Sequence, residues 1–136
     1  MHNYHPLGLI TLRNGKALKV DASGGSGNGE LYDPSAEQWM LLTAPMYYAF
    51  NGDSSTIAML TNGDVLIYGN HFPSYASQFY DPVANTWTPT KGQNNGQISI
   101  GRLAALGNGK VLLAGDQFKY GGFNPTCMLY DPSTNT

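Results

Sequence analysis

Short apolar runs broken by turn residues make up most of the chain. GLITL and ALKV, TIAML and VLIYG, and SIGRLAAL and VLLAG each flank an Asn-Gly dipeptide. No stretch carries apolar residues at i, i+3, i+4 and i+7 across three turns, so no long helix is expected, and nearly continuous apolar runs of about four to eight residues read as strands covered on both faces. The dipeptides Asn14-Gly15, Asn62-Gly63 and Asn108-Gly109 lie 48 and then 46 residues apart. Asn and Gly adopt positive φ at little cost, so each dipeptide predicts a two-residue type I′ hairpin turn.

A second anchor keeps the same rhythm. Tyr32-Asp33-Pro34, Tyr80-Asp81-Pro82 and Tyr130-Asp131-Pro132 are spaced by 48 and 50 residues, and Trp39 and Trp87 follow the first two at equal distance. A third tryptophan would fall at position 137. Pro presets φ for the second position of a turn and the Asp side chain bonds the backbone beyond it, so each tripeptide predicts a second hairpin. Two hairpins make a four-stranded antiparallel unit. Such a unit cannot hide two apolar faces alone, so copies stack, and around an axis they form a β-propeller with the tryptophan filling the gap between sheets. The repeats run over approximately 7–48, 49–95 and 96–136 of a single partial propeller domain, the last lacking its outer strand. The third copy has four extra residues between Asn108 and Tyr130, around Tyr120-Gly121-Gly122-Phe123, which predicts a longer inter-strand loop.

These residues resemble the Kelch repeat family, with a third copy, GRLAALGNGKVLLAGD followed by MLYDPSTNT, similar to the bacterial Kelch pattern. The resemblance covers about residues 8 to 136. The sequence departs from the family where the glycine doublet is shifted to Gly24-Gly25 and reads Gly69-Asn70 and Gly115-Asp116 in the later copies, and where the opening Arg appears only as Arg102. What the resemblance implies is an all-β, Kelch-type propeller of about three blades, an incomplete ring.

Composition narrows the function classes. Seven Lys and Arg against nine Asp and Glu leave a formal charge of -2, which disfavours nucleic-acid or anionic-lipid partners. No basic start followed by an apolar run marks a signal peptide, and no run is long enough for a membrane-spanning helix. Cys127 is the single cysteine, so no internal disulfide forms, and it reads as a small core residue on a strand. His2, His5 and His71 suggest no metal set by their spacing, and no cofactor is expected. The Asp of each Tyr-Asp-Pro is explained as a turn residue.

The aromatic residues outside the repeat anchors are the better lead. Tyr47, Tyr48, Phe72, Tyr75, Tyr120 and Phe123 are assigned to connections, where aromatic side chains on a rigid scaffold can form a patch for protein or carbohydrate. The expected function is therefore a non-catalytic binding module, not an enzyme. The alternative is a fragment of a Kelch-propeller enzyme such as a galactose-oxidase-like oxidase, with its site in other blades. Since propellers use about four to eight blades, two accounts of the partners are open: a homodimer completing a six-bladed ring, with Met1 to Pro6 adding a strand to its partner, or the remainder of a longer chain.

Overall fold

The computed structural model describes residues 6–21, 29–43, 55–71, 74–91, 98–119 and 121–134. Among them lie eleven strands and no helix. The first sheet holds β1 (Pro6–Thr11), β2 (Ala17–Asp21), β3 (Gly29–Asp33) and β4 (Gln38–Leu41). The second holds β5 (Thr56–Met59), β6 (Val65–His71), β7 (Ser74–Asp81) and β8 (Thr86–Pro89). The third holds β9 (Ile98–Ala105), β10 (Val111–Lys119) and β11 (Gly122–Tyr130). Every sheet is an antiparallel meander in chain order, as expected when each strand is joined to the next by a short connection. Pro6 opens β1 opposite Asp21, so it belongs to its own first sheet; residues 1–5 lie outside the described residues.

The first hairpin of each repeat differs from the expected two-residue type I′ turn: its loop holds three residues. Leu12 accepts a hydrogen bond from Gly15 N at 3.0 Å and donates its own N–H to Lys16 O at 2.7 Å, enclosing Arg13, Asn14 and Gly15. Gly15, Gly63 and Gly109 have φ of 81°, 99° and 86°, while none of the three asparagines has positive φ. This is a type I turn closed by a left-handed glycine, the three-residue hairpin with a G1 bulge. The cause is the Asn side chain: each Oδ1 accepts the N–H two residues on, at 3.1 Å from Lys16, Asp64 and Lys110, which holds the asparagine out of the left-handed region.

Side chains alternate between the two faces of a sheet, and the register assigns them. In the first sheet, Ile10, Leu18 and Leu31 share the face turned toward the second sheet, which we term forward. Leu9, Lys19, Glu30 and Leu41 are paired across the opposite, rear face, and so are Thr11, Ala17, Tyr32 and Trp39. Leu12, Leu18, Val20 and Leu42 of the first sheet pack with Val65, Ile67, Ala76, Tyr80 and Trp87 on the rear face of the second. The second sheet repeats the arrangement: Leu60, Leu66, Tyr68 and Phe79 look forward onto Ile98, Leu103, Val111, Leu113, Met128 and Tyr130. First strands come together, β1 beside β5 and β5 beside β9. The core thus consists of two layers between three sheets.

The two outermost faces have no sheet against them among the described residues. On the rear of the first, Leu9 is 65% exposed, Leu41 61% and Trp39 51%; on the forward side of the third, Leu129 is 55% exposed and Phe123 61%. Trp39 and Trp87 occupy the same repeat position and lean on the same tyrosine, with ring centroids 5.2 Å from Tyr32 and 4.8 Å from Tyr80. Trp87 is nonetheless 4% exposed, because the first sheet covers it.

Candidate functional site

All three sheets point the same way. One cleft of about 290 Å³ is lined by Asn14, Asn62, Asp64 and Asp81, and another of about 310 Å³ by Asn62, Asn108 and Asp131, so the tight turns of successive repeats share one end. In a meander the remaining connections must then lie at the other end. These are the links β2–β3, β6–β7 and β10–β11, and the joints from one sheet to the next.

Short hydrogen bonds and ion pairs knit the turn end together. Asp33 Oδ1 accepts from Ser35 N at 2.9 Å and Ser35 Oγ at 2.6 Å, and Asp131 Oδ1 accepts from Ser133 N at 3.0 Å and Ser133 Oγ at 2.6 Å. Asp81 Oδ1 accepts from Val83 N at 2.8 Å and Ala84 N at 3.0 Å. Lys16 and Lys110, each directly after an Asn-Gly, reach Asp33 and Asp131 at 2.9 and 3.2 Å. The serine hydroxyl first and the lysine second hold both carboxyls below the usual carboxylate range. The second repeat places Asp64 in the lysine's position, bonded by Asn62 Nδ2 at 2.7 Å. Arg13 of the preceding turn donates to Thr61 O and lies against Gly63. Burial, with Asp131 alongside, pushes the Tyr130 hydroxyl up to about 12, and burial raises that of Tyr80 in the same way. Tyr80 OH donates to Asn85 Oδ1 at 3.1 Å, and Asn85 Nδ2 donates to Thr43 Oγ1 at 3.4 Å, tying the second sheet to the segment that leaves the first.

The repeat anchors Asn14, Gly15, Asn62, Gly63, Asn108, Gly109, Tyr32, Asp33, Pro34, Tyr80, Asp81, Pro82, Tyr130, Asp131 and Pro132 all stand at or next to this end, with Trp39 and Trp87 on the outer strands. Tyr47, Tyr48, Phe72 and Tyr120 lie outside the described residues, and Tyr75 lies within β7 opposite Asn70, its side chain not among those described.

Phe123 corrects the expected third loop. The extra residues lengthen the hairpin, because β10 and β11 run nine residues each and pair as far as Phe118 with Phe123 and Lys119 with Gly122. Only two residues remain between them, and Gly121, at φ 79°, supplies the left-handed conformation that such a turn needs. Phe123 is therefore a strand residue, exposed on the forward face of the third sheet. Cys127 sits on the same face and is exposed, not in the core. Among the described residues no three His, Cys, Asp or Glu side chains gather as a metal set.

The lysines after the turns escaped the sequence reading. Their recurrence beside Asn-Gly in the first and third copies, RNGK and GNGK, was the available signal.

No family model matches the chain. No curated protein matches it either. Among solved structures, the chain is similar to a protein of unknown function from Dyadobacter fermentans, with a TM-score of 0.64 at 15% identity over 92% of this chain. The chain spans 37% of that protein's length. At this identity the likeness concerns the fold, an all-β arrangement of small antiparallel sheets.

Proposed function

We propose that the chain forms part of a Kelch-type β-propeller and is a non-catalytic module that binds a protein or carbohydrate ligand through the end opposite the tight turns. The observation that carries this reading is the difference between the two ends of the sheets. At the turn end, the three repeats reproduce the same short hairpins and Asx bonds, and the first and third share the lysine pair. At the other end the connections differ in length and sequence, from the Gly-rich DASGGSGNGE of the first repeat to the PMYYAFNGD joint and the HFPSY link of the second. In a repeat protein the invariant part is scaffold and the varied loops specialise. Three stacked meanders with their first strands together further support the propeller.

The experiment is to probe a glycan array and a displayed peptide library with the purified chain, with Tyr48→Ala, Phe72→Ala and Tyr120→Ala as one variant and Arg13→Ala as another. Binding that is lost in the triple variant and kept in Arg13→Ala is expected. Binding lost only in Arg13→Ala would move the site to the turn end and overturn the reading, as would no binding to either library.

A further inference from the structure

The two joints between sheets are built from the same repeat positions. The residue six before the turn asparagine meets the residue five before it in the next sheet: a Cβ on Gly8 would lie 2.5 Å from Ile57 Cγ2 and 3.5 Å from Ile57 Cβ, while Thr56 Oγ1 accepts from Leu103 N at 3.3 Å. The residue directly before the asparagine rests on the next turn's glycine, since a Cβ on Gly63 would stand 3.4 Å from Arg13 Cδ and one on Gly109 3.4 Å from Thr61 Oγ1. At the first joint, the residue three before the Tyr of Tyr-Asp-Pro also lies under the second sheet's tryptophan, with a Cβ on Gly29 3.5 Å from Trp87 Cζ2.

The same positions are vacant at the two ends of the stack. On the rear of the first sheet they are Leu9, Gly15 and Trp39, and on the forward side of the third they are Arg102, Gly107 and Cys127. Leu9, Trp39, Arg102 and Cys127 are exposed, and nothing lies within 4 Å of a Cβ on Gly15 or Gly107. The chemistry of the two faces also corresponds. The rear face carries Leu9, Ala17, Tyr32, Trp39 and Leu41 around an ion pair, Lys19 to Glu30 at 2.8 Å, where the second sheet has Ile67 and Gln78. The forward face carries Ala104, Leu112, Cys127 and Leu129 with one charge of each sign, Arg102 and Asp116. A charged pair can be covered by such a face at less desolvation cost than by a purely hydrocarbon one.

We propose that the rear face of the first sheet is the docking surface for the forward face of the third sheet in a second copy of this chain. The contact is head to tail and repeats the joints inside the chain, placing Arg102 of one copy on Leu9 of the next and Cys127 under Trp39. Each copy carries both faces, so association continues until a ring closes, and two copies bring six sheets, within the range of about four to eight for propellers. The docking rests on the joint geometry; only the closure of the ring leans on the propeller reading, and ligand binding plays no part in the test.

The experiment is light scattering after size exclusion, with directed crosslinking. The expected result is a mass roughly twice the 14.7 kDa of one chain, with Leu9→Asp shifting it to one chain while the far-UV circular dichroism stays unchanged. Since Gly8 and Ile57 place their Cβ positions 3.5 Å apart, within disulfide reach, Leu9→Cys with Arg102→Cys in a Cys127→Ser background is expected to form an inter-chain disulfide under mild oxidation. A wild-type chain that stays at 14.7 kDa at every concentration, with no crosslink in that variant, overturns the proposal and assigns the open faces to further sheets of a longer polypeptide. A crosslink formed equally by Leu9→Cys alone in the Cys127→Ser background also overturns it, since that would join two first sheets.

Discussion

Replacing Trp87 by alanine tests the packing between the first two sheets. The side chain is 4% exposed, tilted against Tyr80, with Gly29 and Leu42 of the first sheet close by. An indole buries on the order of 200 Å², and at about 25 cal/mol per Å² its transfer contributes about 5 kcal/mol. One effect opposes this: the buried Trp87 Nε1–H has no hydrogen-bond partner among the described residues, and removing it recovers about 1–2 kcal/mol of desolvation. The expected cost of Trp87→Ala is therefore about 3–4 kcal/mol. Trp39 stands at the same distance after its Tyr-Asp-Pro but is 51% exposed, so Trp39→Ala in dilute protein should cost about 2.5 kcal/mol, with half the area lost and no enclosed cavity left. Urea unfolding followed by far-UV circular dichroism is the assay, since the substitutions remove fluorophores, and the midpoint should move with an unchanged slope. A loss below about 1 kcal/mol at Trp87, or equal losses at both positions in dilute protein, would refute the packing argument. Self-association would raise the cost at Trp39 with protein concentration and leave that at Trp87 fixed.

Glu37 and Asn85 hold the same turn position at φ 52° and 53°, a region that asparagine tolerates better than glutamate, so Glu37→Asn should stabilise the chain by about 0.5–1 kcal/mol in the same titration. Asp64→Lys restores the residue that reaches the turn aspartate in the other two repeats; a gain of about 0.5 kcal/mol that disappears in high salt is expected for an exposed pair. Asp33 and Asp131 have folded pKa values below their unfolded value of 3.8, so they contribute stability that is present above that pH and lost as pH falls through the lower folded values. Thermal unfolding of the wild type should therefore weaken below about pH 4, and the Asp33→Asn, Asp131→Asn variant should show a shallower decline over that range.

What the sequence made legible was chiefly local. Asn-Gly and Tyr-Asp-Pro act through the few residues around them, so the strand order and both hairpins per repeat could be read from spacing alone. The turn type could not, because it depends on whether Asn14 Oδ1 reaches the N–H of Lys16, a choice between two allowed geometries. The burial of the tryptophans was illegible for a different reason. Trp39 and Trp87 have equivalent motifs, and only the presence or absence of a sheet packed over each decides which is covered. The long third hairpin reads as a loop in sequence because Tyr120-Gly121-Gly122-Phe123 looks like turn chemistry throughout, whereas the register needs only its first two residues to turn. For the candidate site, spacing located the turn end well. The ligand residues at the other end rested on side-chain type, which says little about convergence.

Pro125 lies in β11, opposite Asp116, and among the described residues β11 is the edge strand of the third sheet. A proline offers no N–H, so any strand adding to that edge loses a donor there. In the first two sheets the added strand pairs only with the last residues of its neighbour, Glu30 to Asp33 and Gln78 to Asp81. The matching stretch of the third repeat is Met128 to Asp131, just beyond the proline. A strand added there in the register of the first two sheets would be about four residues long, and the proline beyond it breaks the row of donors that long, indiscriminate zippering into fibrils requires.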